Sequence, residues 1–322
     1  MVSCSGWLAG VSEGIKSLSD GVLEHILGFL RAEEAVRTSV LARRWRHIWK
    51  SATVLRVGSC GPGKQEVEDL WSLVNHLLLL RGDSPLEKCS FTFYAHLNSH
   101  YDFSHINLWF WHVVMCKVHV LSLRMFGHGT DEPWLQLDNL PLISQHLRKL
   151  KLVGVQVHNS FLNFSNCPAL EHLDLYNCEL SSVNKIVSES LKRLIILSSM
   201  GCSDCRIRIY TPNVVSLRHG RFEGMTPILE GMPSLLEASV DIPGWCRDRC
   251  TNTNYFWSCD CEFCDTSDST TNGRDLRWCP VFTNLKTLLL NGYWYVPDDF
   301  HALVCILEHS PILEKLTFEL YL

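Results

Sequence analysis

Residues 170 to 180 read Leu-Glu-His-Leu-Asp-Leu-Tyr-Asn-Cys-Glu-Leu. Leu173 and Leu175 alternate with His172, Asp174 and Tyr176, so a short strand here carries apolar side chains on one face and polar ones on the other. Leu170, Cys178 and Leu180 extend the apolar set on both sides of that strand. Looser copies of the phrase begin at Leu86, Val118, Leu147, Leu191, Val214, Leu235, Leu285 and Leu313. From Val118 to Leu235 the starts are 29, 23, 21, 23 and 21 residues apart. One such strand cannot bury its leucines alone. Stacked copies cover one another, and their strands then form a curved parallel sheet.

The phrase fits the leucine-rich-repeat pattern at every anchor, including the asparagine-or-cysteine position, here Cys178. Pro168, Pro233 and Pro311 each stand two residues ahead of an anchor, where proline stops a preceding helix and starts an extended run. The expected fold class is α/β, with a leucine-rich-repeat solenoid over residues 58–322. Helices are expected at 65–81 and 298–308. Residues between the anchors then line the concave face: Lys149 and Lys151, then His172, Asp174 and Tyr176, then Arg193 and Ile195, and Lys315, Thr317 and Glu319 in the last copy. The set mixes both charge signs around one tyrosine. It suits a protein partner, not the phosphate backbone of a nucleic acid. The substrate-binding candidates are Lys149, Lys151, His172, Asp174, Tyr176, Arg193 and Lys315.

Between Leu235 and Leu285 the spacing doubles to 50 residues. The excess, about 243–280, is rich in Asn, Thr, Ser and Asp and reads as a loop inserted between two repeats. It holds Cys246, Cys250, Cys259, Cys261, Cys264 and Cys279. Cys246-x3-Cys250 with Cys261-x2-Cys264 could supply four zinc thiolates, but the first pair is loose and the gap between the pairs is short for a zinc ribbon. A cysteine-rich surface loop without metal is the preferred reading. Cys202-x2-Cys205 has redox-like spacing without a thioredoxin-like context. His96, His100 and His105 do not share a helix face. No phosphate loop, nucleophile elbow, His-Glu-x-x-His or dinucleotide fingerprint occurs. The chain is read as a non-enzyme with no cofactor.

A net charge of −5 and a pI near 6.3 argue against general nucleic-acid binding. No apolar run reaches the ~18 residues of a membrane span, and the N-terminus lacks the basic and apolar regions of a secretory signal. The 15 cysteines are scattered through apolar runs, as core residues of a reduced compartment would be. The expected location is nucleus or cytoplasm. Residues 1–14 are expected to be mobile.

The N-terminal block, 16–57, is helical. Val22, Leu23, Ile26, Leu27 and Leu30 recur at helical spacing after Asp20, a candidate N-cap or first-turn residue. A second helix fits 33–41, burying Ala35, Val36 and Val40. A third fits 43–50, with Trp45, Ile48 and Trp49 on one side.

This block resembles the F-box of plant F-box proteins with leucine-rich repeats. The likeness rests on Leu18-Ser19-Asp20, on Leu23 to Leu30, on Glu34 to Leu41, on Arg43-Arg44-Trp45-Arg46 and on Trp49-Lys50-Ser51. Two positions depart from the family: Ser19 and Arg31 stand where proline is usual. The resemblance implies a three-helix F-box over 15–57 that docks a Skp1-like adaptor, and through it a cullin. The repeats would hold a substrate protein for ubiquitin transfer by other subunits. The implied adaptor contacts are Leu18, Leu23, Ile26, Phe29, Leu30 and Trp45, more apolar surface than so small a unit can bury. The alternative is a repeat-based protein-binding scaffold outside any ligase.

Overall fold

The computed structural model describes residues 18–40, 43–58, 64–82, 84–94, 104–127, 134–203, 205–242, 281–292 and 299–319. The N-terminal residues 1–14, Leu41, His96, His100 and the cysteine-rich insert of 243–280, with its candidate zinc ligands, lie outside them. The chain divides into two compact units, Met1–Ser122 and Leu123–Leu322.

The first unit begins with α1 (Asp20–Leu27), α2 (Ala32–Arg37), a 3-10 turn at Thr38–Val40 and α3 (Trp45–Ser51). Ser19 caps α1, its Oγ accepting from the Val22 N–H at 3.4 Å. Asp20 is thus the first helical residue, where its charge suits the helix N-terminus. Arg31 precedes α2 and donates its backbone N–H to Glu34 Oε2 at 3.0 Å, a bond that proline could not make. Gly28 ends α1, and a Cβ there would meet the Val54 side chain at 3.0 Å.

The apolar stripe of α1 splits in two. Leu23 and Leu27 are buried with Ala32, Ala35, Trp45, Ile48 and Trp49, while Val22 and Ile26 face solvent. The second helix is shorter than the pattern suggested. Ala35 is buried, Val36 only half-buried, and Val40 is exposed on the 3-10 turn.

Next come β1 (Val54–Gly58), α4 (Lys64–Arg81), β2 (Lys88–Tyr94) and α5 (Ser104–Met115), with β1 and β2 parallel. The sequence reading missed α5. Its buried Ile106, Phe110, Val113 and Val114 have helical spacing, but the aromatic run hid the period. Arg81 ties the helical block to these elements. It is buried and donates Nη1 to the Trp49 carbonyl at 3.0 Å. Burial lowers its pKa, an effect that the Cys116 and Cys89 thiols partly oppose.

The boundary between the units falls within β3 (Val120–Phe126). The second unit continues with β4 (Leu135–Gln136), β5 (Lys149–Val153), β6 (Val155–Gln156), β7 (His172–Tyr176), β8 (Lys185–Val187) and β9 (Arg193–Leu197). Then follow β10 (Arg208–Tyr210), β11 (Ser216–Gly220), β12 (Ile228–Leu229), β13 (Glu237–Ile242), β14 (Thr287–Gly292), α6 (Asp299–Glu308) and β15 (Lys315–Glu319). Its large sheet runs β5-β7-β9-β11-β13-β14-β15, every neighbour parallel.

The register aligns Leu150, Leu173, Leu194, Leu217, Ala238, Leu288 and Leu316 in one row. The backbone repeats with the anchors. The Arg148 carbonyl accepts the N–H groups of Glu171 and His172, and the carbonyls of Glu171, Lys192, Val215, Leu236 and Lys286 do the same for the next copy. After the strand, Gly154, Asn177, Ser198 and Arg221 take φ of 66°, 48°, 52° and 47°. The left-handed turn is easy for glycine and costs serine and arginine more.

The returning segments differ from expectation. No helix precedes Pro168 or Pro233; the returns after β7, β9 and β11 carry β8, β10 and β12, which form a second small parallel sheet. Spacings of 21 to 23 residues leave room only for turns and short strands. A helix precedes Pro311, where α6 lies between copies starting at Leu285 and Leu313. On α6 the residues Val304 and Leu307 are exposed.

One strand offers an internal comparison. Leu173→Ala should cost about 2–5 kcal/mol of stability, because the anchor row cannot close over the cavity. Arg193→Ala, on the outward side of the next strand, should stay within about 0.5 kcal/mol. Urea unfolding of both variants measures this, and equal losses would contradict the anchor assignment.

Candidate functional site

Two surfaces gather the residues singled out from sequence. The first is on the helical block. Phe29 is 65% exposed, Ile26 39% and Val22 44%, whereas Leu18 and Leu30 are half-buried. Val22 and Ile26 lie one turn apart on α1, and the Phe29 ring meets the His25 ring edge-on at 5.0 Å. Leu23 and Trp45 are not on this surface. Both pack inward, at 0% and 9% exposure, because the small helical block needs them for its own core. Val22 was readable as part of the surface from its four-residue spacing to Ile26.

The block has a second apolar area that the sequence reading did not separate out. A depression of about 760 Å³ is lined by Val36, Val40, Trp49 and Leu80, with Arg43, Arg46 and Lys50 around it. Val40 is 85% exposed there.

The second surface is the outward face of the parallel sheet. The register places Lys149, His172 and Arg193 in one row, and Lys151, Asp174 and Ile195 in the next. Tyr176 follows, between Val153 and Leu197. Lys149 Nζ bonds Asp174 Oδ2 at 3.0 Å, and Lys151 Nζ sits 4.4 Å from the centre of the Tyr176 ring. Arg193 is exposed, and His172 and Tyr176 are half-buried.

Asp174 and Ile195 do not stand open to solvent. Both are buried, so the middle row of this face is covered at those two strands. Asp174 therefore acts as a fixed counter-charge beneath the lysines. Its Oδ1 and His172 Nδ1 are covered and make no hydrogen bond. Partial burial lowers the Lys151 pKa, and Arg124 adds repulsion to it. Asp174 pulls the other way and Lys149 adds a further lowering. The sequence reading missed Arg124. It directly follows the anchor Leu123, as Val153 follows Leu152 and Tyr176 follows Leu175. Lys315, on β15, is exposed but four strands beyond β9, so it is not brought together with the others.

The side chains considered for chemistry take ordinary structural places. Cys178 is buried, its Sγ donating towards the carbonyls of Tyr176 and Leu152 at 3.4 and 3.7 Å. Burial raises its pKa to about 12 and that of Cys167 to about 11. Cys202 is half-buried and Cys205 is exposed. His105 packs against Trp71 at 5.0 Å between ring centres. Among the described residues no group of three or more His, Cys, Asp or Glu could hold a metal ion, and no helix is long and apolar enough to cross a membrane.

Comparison with known proteins agrees with the geometry of the helical block. Residues 15–56 match the F-box domain. The chain is 27% identical to the meiotic F-box protein MOF of Oryza sativa subsp. japonica, over 94% of this chain and 70% of that protein. It is 27% identical to an F-box/LRR-repeat protein of Arabidopsis thaliana, over 71% of this chain and 55% of the relative. A second F-box/LRR-repeat protein of that plant is 28% identical, over 72% of this chain and 83% of the relative. No solved structure matches the chain.

Thiol labelling checks the placement of the cysteines. A pKa near 12 leaves only about one thiolate in ten thousand at pH 8, so burial and protonation act together. Iodoacetamide at that pH should modify Cys205 in the folded protein and leave Cys178 untouched until denaturant is added. Equal labelling of the two, read by mass spectrometry on folded protein, would contradict this arrangement.

Proposed function

We propose that this F-box protein, of the plant F-box/LRR kind, is the substrate-holding subunit of a Skp1-cullin-F-box type ubiquitin ligase. The F-box docks a Skp1-like adaptor, and the adaptor links the chain to a cullin. The strands behind it stack as a leucine-rich-repeat solenoid, whose outward strand residues hold the substrate protein. The chain contributes binding and positioning, and ubiquitin transfer is performed by other subunits. Buried free thiols such as Cys89 and Cys178 suit a reducing location, the nucleus or cytoplasm.

The observation that carries the reading is the apolar surface left on the F-box by Val22, Ile26 and Phe29. A block of this size has already buried Leu23, Leu27, Ile48 and Trp49. The remaining exposed aromatic and aliphatic residues are what a partner would cover.

Charge on that surface tests the reading. Ile26→Asp with Phe29→Asp should weaken capture of a purified Skp1-like protein at least about a hundredfold, as loss of two buried anchors does. The circular dichroism and unfolding midpoint should stay near those of the original chain, because both side chains already face water. Undiminished capture by the folded double variant would refute the adaptor assignment.

A further inference from the structure

The outward face of the sheet changes sign along its length. Over β5 to β11 its outward positions carry Lys149, Lys151, Arg193 and Arg218, and Arg124 of β3 acts electrostatically on Lys151. The carboxylate among these positions is Asp174, 5% exposed at its side chain and already paired with Lys149. Over β13 to β15 the balance reverses: Glu237 stands in the Lys149 row and Asp241 and Glu319 in the Tyr176 row, against Lys315 in the first. Asp241 is held by Arg221 at 3.6 Å. The whole chain carries −5, so the positive region is a local feature and not a reflection of composition.

We propose that the basic half of this face takes an acidic segment of the protein partner, whose Asp or Glu carboxylates meet Arg124, Lys151, Lys149 and Arg193. The assignment rests on reading the sheet face as the substrate-holding surface. Charge complementarity selects the occupant. Lys151 lies partly out of water beside two further cations, and its one nearby acid is shared with Lys149. An arriving carboxylate relieves that repulsion, and a basic segment would add to it. Arginine offers a carboxylate two parallel hydrogen bonds, and the exposed Arg193 can turn to supply them. From β5 to β11 is three strand spacings, roughly 14 Å, the reach of about four or five extended residues. The acidic half over β13 to β15 disfavours continuation of the acidic run, so the segment has a preferred direction across the strands.

Peptide selection on the full chain tests this directly. Random peptides of about seven residues, displayed on phage, are panned against the original protein, against Lys149→Gln with Arg193→Glu, and against Lys286→Glu. Lys286 pairs with Glu314 ahead of β14 and β15, away from the basic strands, and serves as the control. Pools from the original and control proteins should be enriched in Asp and Glu. A selected peptide, made synthetically with a fluorescent label, should bind the double variant at least about tenfold more weakly. Its Asn and Gln counterpart should lose affinity for the original protein by a similar factor. Arg193→Lys, which keeps the charge with little risk to folding, should retain most of the affinity. A pool no richer in Asp and Glu than the starting library overturns the proposal, as does a selected acidic peptide bound equally well by the double variant. Failure to capture a Skp1-like protein would count against the adaptor reading alone and leave this result standing.

Discussion

The constraint on which the second unit depends is that no strand can bury its own leucines. Leu173 and Leu175 of β7 are covered because Leu150 and Leu152 precede them in register and Leu194 and Ile196 follow. The hydrophobic gain is shared between neighbours, so each strand is stable only in the presence of the next. The paired N–H groups that bond the Arg148, Glu171 and Lys192 carbonyls lock the same stagger into the backbone. Once the anchors turn inward, alternation forces the residues between them outward. A row of polar positions with a fixed spacing follows from packing. Which charges occupy it is then free to serve binding.

The helical block meets the opposite problem. It has more apolar residues than its interior holds. Leu23, Leu27, Trp45, Ile48 and Trp49 fill that interior, and Val22, Ile26, Phe29 and Val40 remain outside. Arg81 adds a second constraint. A buried guanidinium costs free energy unless its donors are satisfied, and the Trp49 carbonyl meets one of them. That bond joins α3 to α4, and the helical block and the first parallel strands fall within one compact unit.

Much of this was legible in the residue order, and the failures have physical causes. Period-two alternation with leucine anchors gave the strands of the sheet to within a residue or two, because packing leaves little choice of register. The returns were misread because proline marks an end of helix or an end of turn equally well. Segment length, about 21 to 23 residues, decided for turns and short strands. At the site, Lys149, Lys151, His172 and Arg193 emerged as neighbours directly from the repeat. Asp174 and Ile195 occupy outward positions too, yet they are buried. Alternation gives the direction of a side chain but not what its neighbours cover. Leu23 and Trp45 show the same limit on the F-box: an apolar residue on a helix serves either the core or a partner, and only three-dimensional packing decides between them.

The central claim is that the chain uses one surface to join an adaptor and another to hold a partner protein. A cryo-electron-microscopy structure of the full chain bound to a Skp1-like protein tests it most directly. The account requires Val22, Ile26 and Phe29 to be buried against the adaptor, with Lys149, Lys151 and Arg193 left accessible. An adaptor seated on the face of the parallel sheet, or one that leaves Ile26 and Phe29 in solvent, would contradict it.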